Sequence, residues 1–179
     1  HGLQRLLAQR QRHFRRKGAV IMRQPAFIDQ SLFAGLAAQA AANPRGRQHH
    51  NFHEMAEPCH RMAVGLQPST YIPPHRHLSD DKAETLVVLK GCLGLLIFDE
   101  QGAVTDKRVM QAGGDCLGVD LAPGTFHGLV VLEPDSILFE CKAGPYRPVG
   151  EGEHAHWAPR EGEEGVAEYQ AWMLSLIHI

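Results

Sequence analysis

No stretch of this sequence stays apolar for the roughly 20 residues that a membrane-crossing helix requires, so no membrane partnership is expected for the residues given. Paired cysteine spacings are missing too. Cys59, Cys92, Cys116 and Cys141 are scattered, with no C-x-x-C among them. That argues against a disulfide framework or a zinc ribbon, and for reduced, packed thiols in a cytoplasmic protein. There is no tandem repeat and no low-complexity tract, which excludes solenoids and compositional tails.

Acidic residues are absent from residues 1–17, where six of the 18 basic side chains gather (Arg5, Arg10, Arg12, Arg15, Arg16 and Lys17). The remainder carries 12 basic against 20 acidic residues, a balance of −8. A nucleic-acid partner is therefore not expected, because acidic surface opposes phosphate. The chain does not begin with Met, and Met22-Arg23-Gln24-Pro25 reads like a natural start. Residues 1–21 are accordingly read as a non-native or disordered basic extension, and residues 174–179 (Leu174-Ser175-Leu176-Ile177-His178-Ile179) as an adapter-derived tail.

What is present falls into three textures. In residues 22–58, Asp29 to Ala42 has a helical stripe (Leu32, Phe33, Leu36, Ala40), with Asp29 or Ser31 to cap it and Asn43-Pro44 to stop it. Arg45 to His53 reads as an irregular polar segment. Residues 59–141 hold eight short apolar runs: His60–Leu66, Tyr71–His77, Glu84–Lys90, Leu93–Phe98, Val104–Met110, Cys116–Leu121, His127–Leu132 and Ile137–Cys141. Gly-, Pro- and Asp-containing turns punctuate them. Strands at this spacing, with no helical pattern between them, predict an all-β antiparallel sandwich or barrel. Residues 142–173 are rich in Gly, Pro, Glu and His and read as a loop-rich wrap, with Trp157 as structural cover.

The chemistry concentrates in Tyr71-Ile72-Pro73-Pro74-His75-Arg76-His77. In an extended strand His75 and His77 share one face. Glu84 answers them across the polar bend Leu78 to Lys82, and His127 offers a third imidazole. Twelve histidines make a stray His-x-His common. However, burying three imidazoles and a carboxylate without partners costs about 1–3 kcal/mol per group, which rivals a domain's stability of roughly 5–15 kcal/mol. A bound cation removes most of that cost. His75, His77, Glu84 and His127 are therefore the expected ligands of one divalent metal, with Fe, Mn, Ni or Zn all compatible with N/O donors. Tyr71 and His53 are candidate catalytic proton-transfer groups, and Asn51 and Arg76 candidate substrate contacts.

His75-x-His77, Glu84, Gly91 and Gly124-x-x-His127 resemble the two cupin motifs. Ser69 stands where a Gly is usual, Pro123 is one place off, and Val131 replaces a common Asn. A further set is Arg45-x-Arg47, Asn51-x-His53, Tyr71-x-x-Pro74-His75-Arg76-His77, Gly144-Pro145-Tyr146 and Trp157-Ala158-Pro159-x-Glu161. Together these resemble the WbuC-type cupin-fold metalloproteins, over roughly Met22 to Tyr169. The resemblance implies an RmlC-like cupin jelly-roll barrel with a short N-terminal helix, a divalent metal, and a place in bacterial surface-polysaccharide (O-antigen) metabolism. The expected ligand is small and polar, a sugar or sugar nucleotide. A metal-dependent isomerase, epimerase or oxygenase-type cupin is one expectation, a non-catalytic binding module another. A metal-free epimerase is disfavoured because it has no use for Glu84 opposite two histidines. A homodimer paired through sheet edges is expected.

Overall fold

The computed structural model describes residues 24–177; the basic segment 1–21 lies outside the described residues. Helix α1 (Gln30–Ala42) starts at Asp29, whose side chain accepts a 2.9 Å hydrogen bond from the Leu32 N–H. This is the N-cap that satisfies an otherwise orphaned donor. Its buried face, Phe33, Leu36, Ala37 and Ala40, packs Phe33 and Leu36 against Ala63 and Ile137. Contact is close because residue 65 is glycine: a Cβ there would meet the Leu36 carbonyl oxygen at 2.7 Å.

Nine strands follow: β1 (Arg47–Asn51), β2 (Cys59–Leu66), β3 (Ile72–His75), β4 (Glu84–Lys90), β5 (Cys92–Phe98), β6 (Val104–Gln111), β7 (Gly118–Leu121), β8 (Phe126–Val131) and β9 (Ser136–Ala143). They form a five-stranded sheet, β1-β2-β9-β4-β7, and a four-stranded sheet, β3-β8-β5-β6. Every pairing is antiparallel. From β2 onward the chain crosses between sheets at every connection except β5 to β6, so most sequence neighbours face each other across the core. This is a jelly roll. Alternate residues of both sheets fill the space between: Met62, Val64, Leu66, Leu86, Val88, Leu93, Leu95, Met110, Leu129, Val131 and Leu138.

Three boundaries differ from the sequence reading. The polar segment Arg47–Asn51 is a strand, not an irregular loop, and it extends the sheet edge beyond β2. Arg47 and His49 look polar, yet they alternate onto the face of Leu66 and Val64, their Cα partners. The strand expected at Tyr71–His77 ends at His75. Finally, the loop-rich wrap closes in a helix, α2 (Val166–Ile177), which runs through the boundary expected at residues 173/174. Met173 and Ile177 of α2 are buried with Leu96, Phe98 and Val130, and an apolar helix face finds cover there. Trp157 lies over Phe98, with ring centres 4.8 Å apart.

Candidate metal centre

His75 closes β3 and is the Cα partner of His127 on β8. Both belong to the four-stranded sheet, while Glu84 opens β4 in the other sheet. At this end of the barrel the three side chains meet. One ligand-type atom from each of His75, Glu84 and His127 lies within 4.8 Å of the others. The His75 and His127 rings are 4.5 Å apart, and Glu84 and His127 are almost fully buried.

The hydrogen bonds fix the imidazole tautomers. His75 Nδ1 donates to the Pro73 carbonyl (3.1 Å), and His127 Nδ1 donates to the Thr125 carbonyl (3.0 Å). Each ring therefore carries a proton on Nδ1, which leaves Nε2 as the nitrogen available to a metal. His127 Nε2 lies 3.3 Å from Glu84 Oε2. When protonated, this nitrogen donates to the carboxylate; when unprotonated, it leaves a lone pair and a carboxylate side by side, the arrangement a bound cation fills. Backbone carbonyls that hold Nδ1–H are also what orient metal-ligating histidines. The donor set fits a divalent ion of the N/O-preferring kind.

His77 behaves differently from the other three. It lies beyond the end of β3, with Nε2 3.2 Å from Glu84 Oε1 and its ring 5.3 Å from His75. It touches the carboxylate but stands outside the tight triplet. The chain leaves β8 after His75 because the wrap takes over. His75 bridges to His154, the Arg76 N–H donates to the Glu153 carbonyl, and the Leu78 N–H donates to Glu153 Oε1 at 2.8 Å. Gly124, at φ +83° in the turn before β8, donates its N–H to the His77 carbonyl at 2.7 Å. A side chain is strained at that φ.

Electrostatics tighten the picture. Burial pushes the Glu84 carboxyl up, but hydrogen bonds from His127 and His77 and the Lys142 charge outweigh it and hold it well below the usual carboxylate range. Burial, with the neighbouring His127, pushes His75 down to about 3. Lys142 Nζ donates to Glu84 Oε1 at 2.9 Å and sits 2.5 Å from Glu140 Oε1. The latter contact is close enough for an ion pair but off hydrogen-bond geometry, so that oxygen has no aligned donor. Burial opposes the Lys142 charge, yet Glu140 and Glu84 raise it above the ordinary lysine value. Burial raises the Glu140 carboxyl.

The remaining candidates scatter. Tyr71 is not brought to the site: it is buried in the wrap-side cluster, and its hydroxyl donates to the Pro159 carbonyl at 2.7 Å. Arg76 also turns away. Its guanidinium lies 4.1 Å over the Phe126 ring, Nε donates to the Gly152 carbonyl, and it pairs with Glu100. His53 and Asn51 line the cavity. The Arg61 N–H donates to His53 Nδ1 at 2.9 Å, and His53 stacks on His60 at 3.9 Å.

The cavity spans about 510 Å³ between the sheets. Its floor is aliphatic, with Met62, Val64, Leu86, Leu129 and Leu138, and the triplet and Lys142 occupy one end. Sequence reasoning missed Lys142, Glu140, His60 and His49. The signal was parity: Leu138, Glu140 and Lys142 share one face of β9, so two charges ride on a face that begins as core.

A family model described as a domain of unknown function (DUF6016) matches residues 28–110. No curated protein matches the chain. Among solved structures, KdgF from Halomonas sp. is similar at 22% identity and a TM-score of 0.46, covering 59% of this chain and 84% of its own. An oxalate oxidase in complex with the substrate analogue glycolate is similar at 18% identity and a TM-score of 0.48, covering 61% of this chain and 56% of its own. A cupin-2 domain containing protein from Shewanella frigidimarina is similar at 16% identity and a TM-score of 0.41, covering 54% of this chain and 80% of its own. The match thus spans little more than half the length of the oxalate oxidase.

Proposed function

We propose that this protein is a divalent-metal cupin whose barrel takes a small polar ligand beside the metal. The observation that carries the reading is the convergence of His75, Glu84 and His127, with one ligand-type atom of each within 4.8 Å of the others and both imidazole Nδ1–H groups held by backbone carbonyls. His75, Glu84 and His127 would hold the ion, and His77, already on Glu84, would complete the set. Such an ion supplies a Lewis acid and open positions for ligand oxygens. The cavity of about 510 Å³ gives a monosaccharide-sized molecule room beside it.

The finer reading is a sugar or sugar-nucleotide ligand in bacterial surface-polysaccharide metabolism, in the cytoplasm, handled by a homodimer. It is supported by the motif resemblance around Tyr71–His77 and Trp157–Glu161. A non-catalytic binding role is the second reading. It is favoured by Tyr71 and His53 both being engaged with backbone groups rather than free for proton transfer.

Metal analysis of the purified protein tests the core of this. One divalent ion per chain is expected, and a steep loss in His127→Ala. Full occupancy in His127→Ala would overturn the assignment. Turnover of a nucleotide-linked sugar that disappears on metal stripping separates enzyme from binding module. Light scattering is expected to give twice the monomer mass; a monomer at micromolar concentration would refute the dimer.

A further inference from the structure

Two of the four cysteines form a pair outside the metal centre. Cys59 opens β2 and is exposed, and Cys141 lies near the end of β9. The register sets Cys59 opposite Ala143 and Arg61 opposite Cys141, so the two cysteines are diagonal neighbours on adjacent strands. Both point to the outer face, because the alternate positions His60, Met62, Glu140 and Lys142 line the cavity. Their sulfurs are 3.9 Å apart. Diagonal side chains on one sheet face are within reach of each other. The other two are placed differently: Cys92 is buried, and the Cys116 thiol donates to the Gly118 carbonyl.

We propose that Cys59 and Cys141 are a thiol modification site that a hydroperoxide converts to an intramolecular disulfide. The exposed Cys59 is the attacking thiol and the half-buried Cys141 the resolving one. The Cys59 thiolate attacks one peroxide oxygen and the O–O bond breaks. This leaves Cys59 as sulfenic acid and, for hydrogen peroxide, releases water. The Cys141 thiolate then attacks the Cys59 sulfur, the S–S bond forms, and the S–O bond breaks to release a second water. Two thiols lose two electrons, and one peroxide gains them. The product ties β2 to β9 directly behind Glu140 and Lys142, which flank Cys141 in sequence.

The test uses the whole protein and stoichiometric hydrogen peroxide, with thiols counted after denaturation. The count is expected to fall from four by two and to recover with dithiothreitol. Peptide mapping should join Cys59 to Cys141, and the cross-linked chain should stay monomer-sized on a denaturing gel. Cys141→Ser should stop at a Cys59 sulfenic acid that dimedone traps. Cys59→Ser, at an exposed position where folding is not at stake, should leave all three remaining thiols free. An unchanged thiol count, cross-linked dimers through Cys59, or Cys59 sulfinic acid with Cys141 still free would each overturn the proposal.

Discussion

The two ends of the barrel are built from the same strands and do opposite things. Along β4 the inward residues run Glu84, Leu86, Val88, and along β9 they run Lys142, Glu140, Leu138. Along β8 they run His127, Leu129, Val131. A step of two residues, about 6.6 Å along a strand, carries the lining from ligand-type groups to aliphatic core. The far end holds Leu66, Leu93 and Met110, all with no exposure. Burying apolar surface there contributes stability. Burying Glu84 and the imidazoles at the other end costs desolvation, which for Glu84 the histidine contacts and the Lys142 charge outweigh.

That division can be broken from the apolar side first. Leu66→Ala removes a fully buried side chain of the central cluster and should cost about 2–5 kcal/mol in denaturant unfolding. The folded fraction should still bind metal at unchanged stoichiometry. Loss of metal binding by the folded variant would show that the ends are not separate.

From the polar side, Glu84→Gln should lower metal affinity at least about 100-fold, the upper end of what outer-shell partners alone contribute. The metal-free variant should remain folded. A competition titration with a chelating dye reads this directly. His77→Ala should lose less affinity than His75→Ala, because only His75 belongs to the tight triplet.

Acid sharpens the comparison further. His75 is driven down to about 3 by burial and by His127, so between the unfolded value of 6.5 and about 3 the unfolded chain takes the proton first. This contribution is complete above pH 6.5 and is lost as pH falls toward 3. Glu84, held below its ordinary value, acts in the same direction: its stabilisation is present above the unfolded value and is lost on acidification. The thermal midpoint of metal-free protein should therefore fall through that window. In His75→Gln the fall should be shallower; an unchanged slope would show that His75 does not titrate this way.

The smallest effect belongs to Tyr71→Phe. Losing its bond to the Pro159 carbonyl should cost about 1 kcal/mol and leave metal affinity unchanged. A drop in affinity would return Tyr71 to the site.

Short apolar runs punctuated by Gly-, Pro- and Asp-containing turns made the strands from β2 to β9 legible, and the Asp29 cap and Asn43-Pro44 stop made α1 legible. β1 was hidden because Arg47-Gln48-His49-His50-Asn51 carries no apolar residue. Its strand character comes from pairing with β2 and from a lining role that polar side chains fill. The meeting of His75, Glu84 and His127 was readable from spacing, because a turn and a strand register suffice to bring them together. The position of His77 was not. It depends on Glu153 and His154, whose pairing with residues 75–78 no local pattern announces. Tyr71 and Arg76 were legible as neighbours of the motif. Alternation sends Arg76 to Phe126, but Tyr71 has the parity of His75, and only the register shift between Ile72 and His75 turns it out toward the wrap.

That late-arriving partner has a consequence for how the protein is made. All three members of the triplet have left the ribosome once β8 has, yet the arm carrying His75 and His77 is braced by a carboxylate 75 residues beyond it. A chain ending at Ala143 would possess the triplet and the barrel strands but not the outer brace of that arm. Fixing the arm beyond His75 is thus tied to completion of the C-terminal segment, whereas the triplet itself depends only on strands that emerge before it.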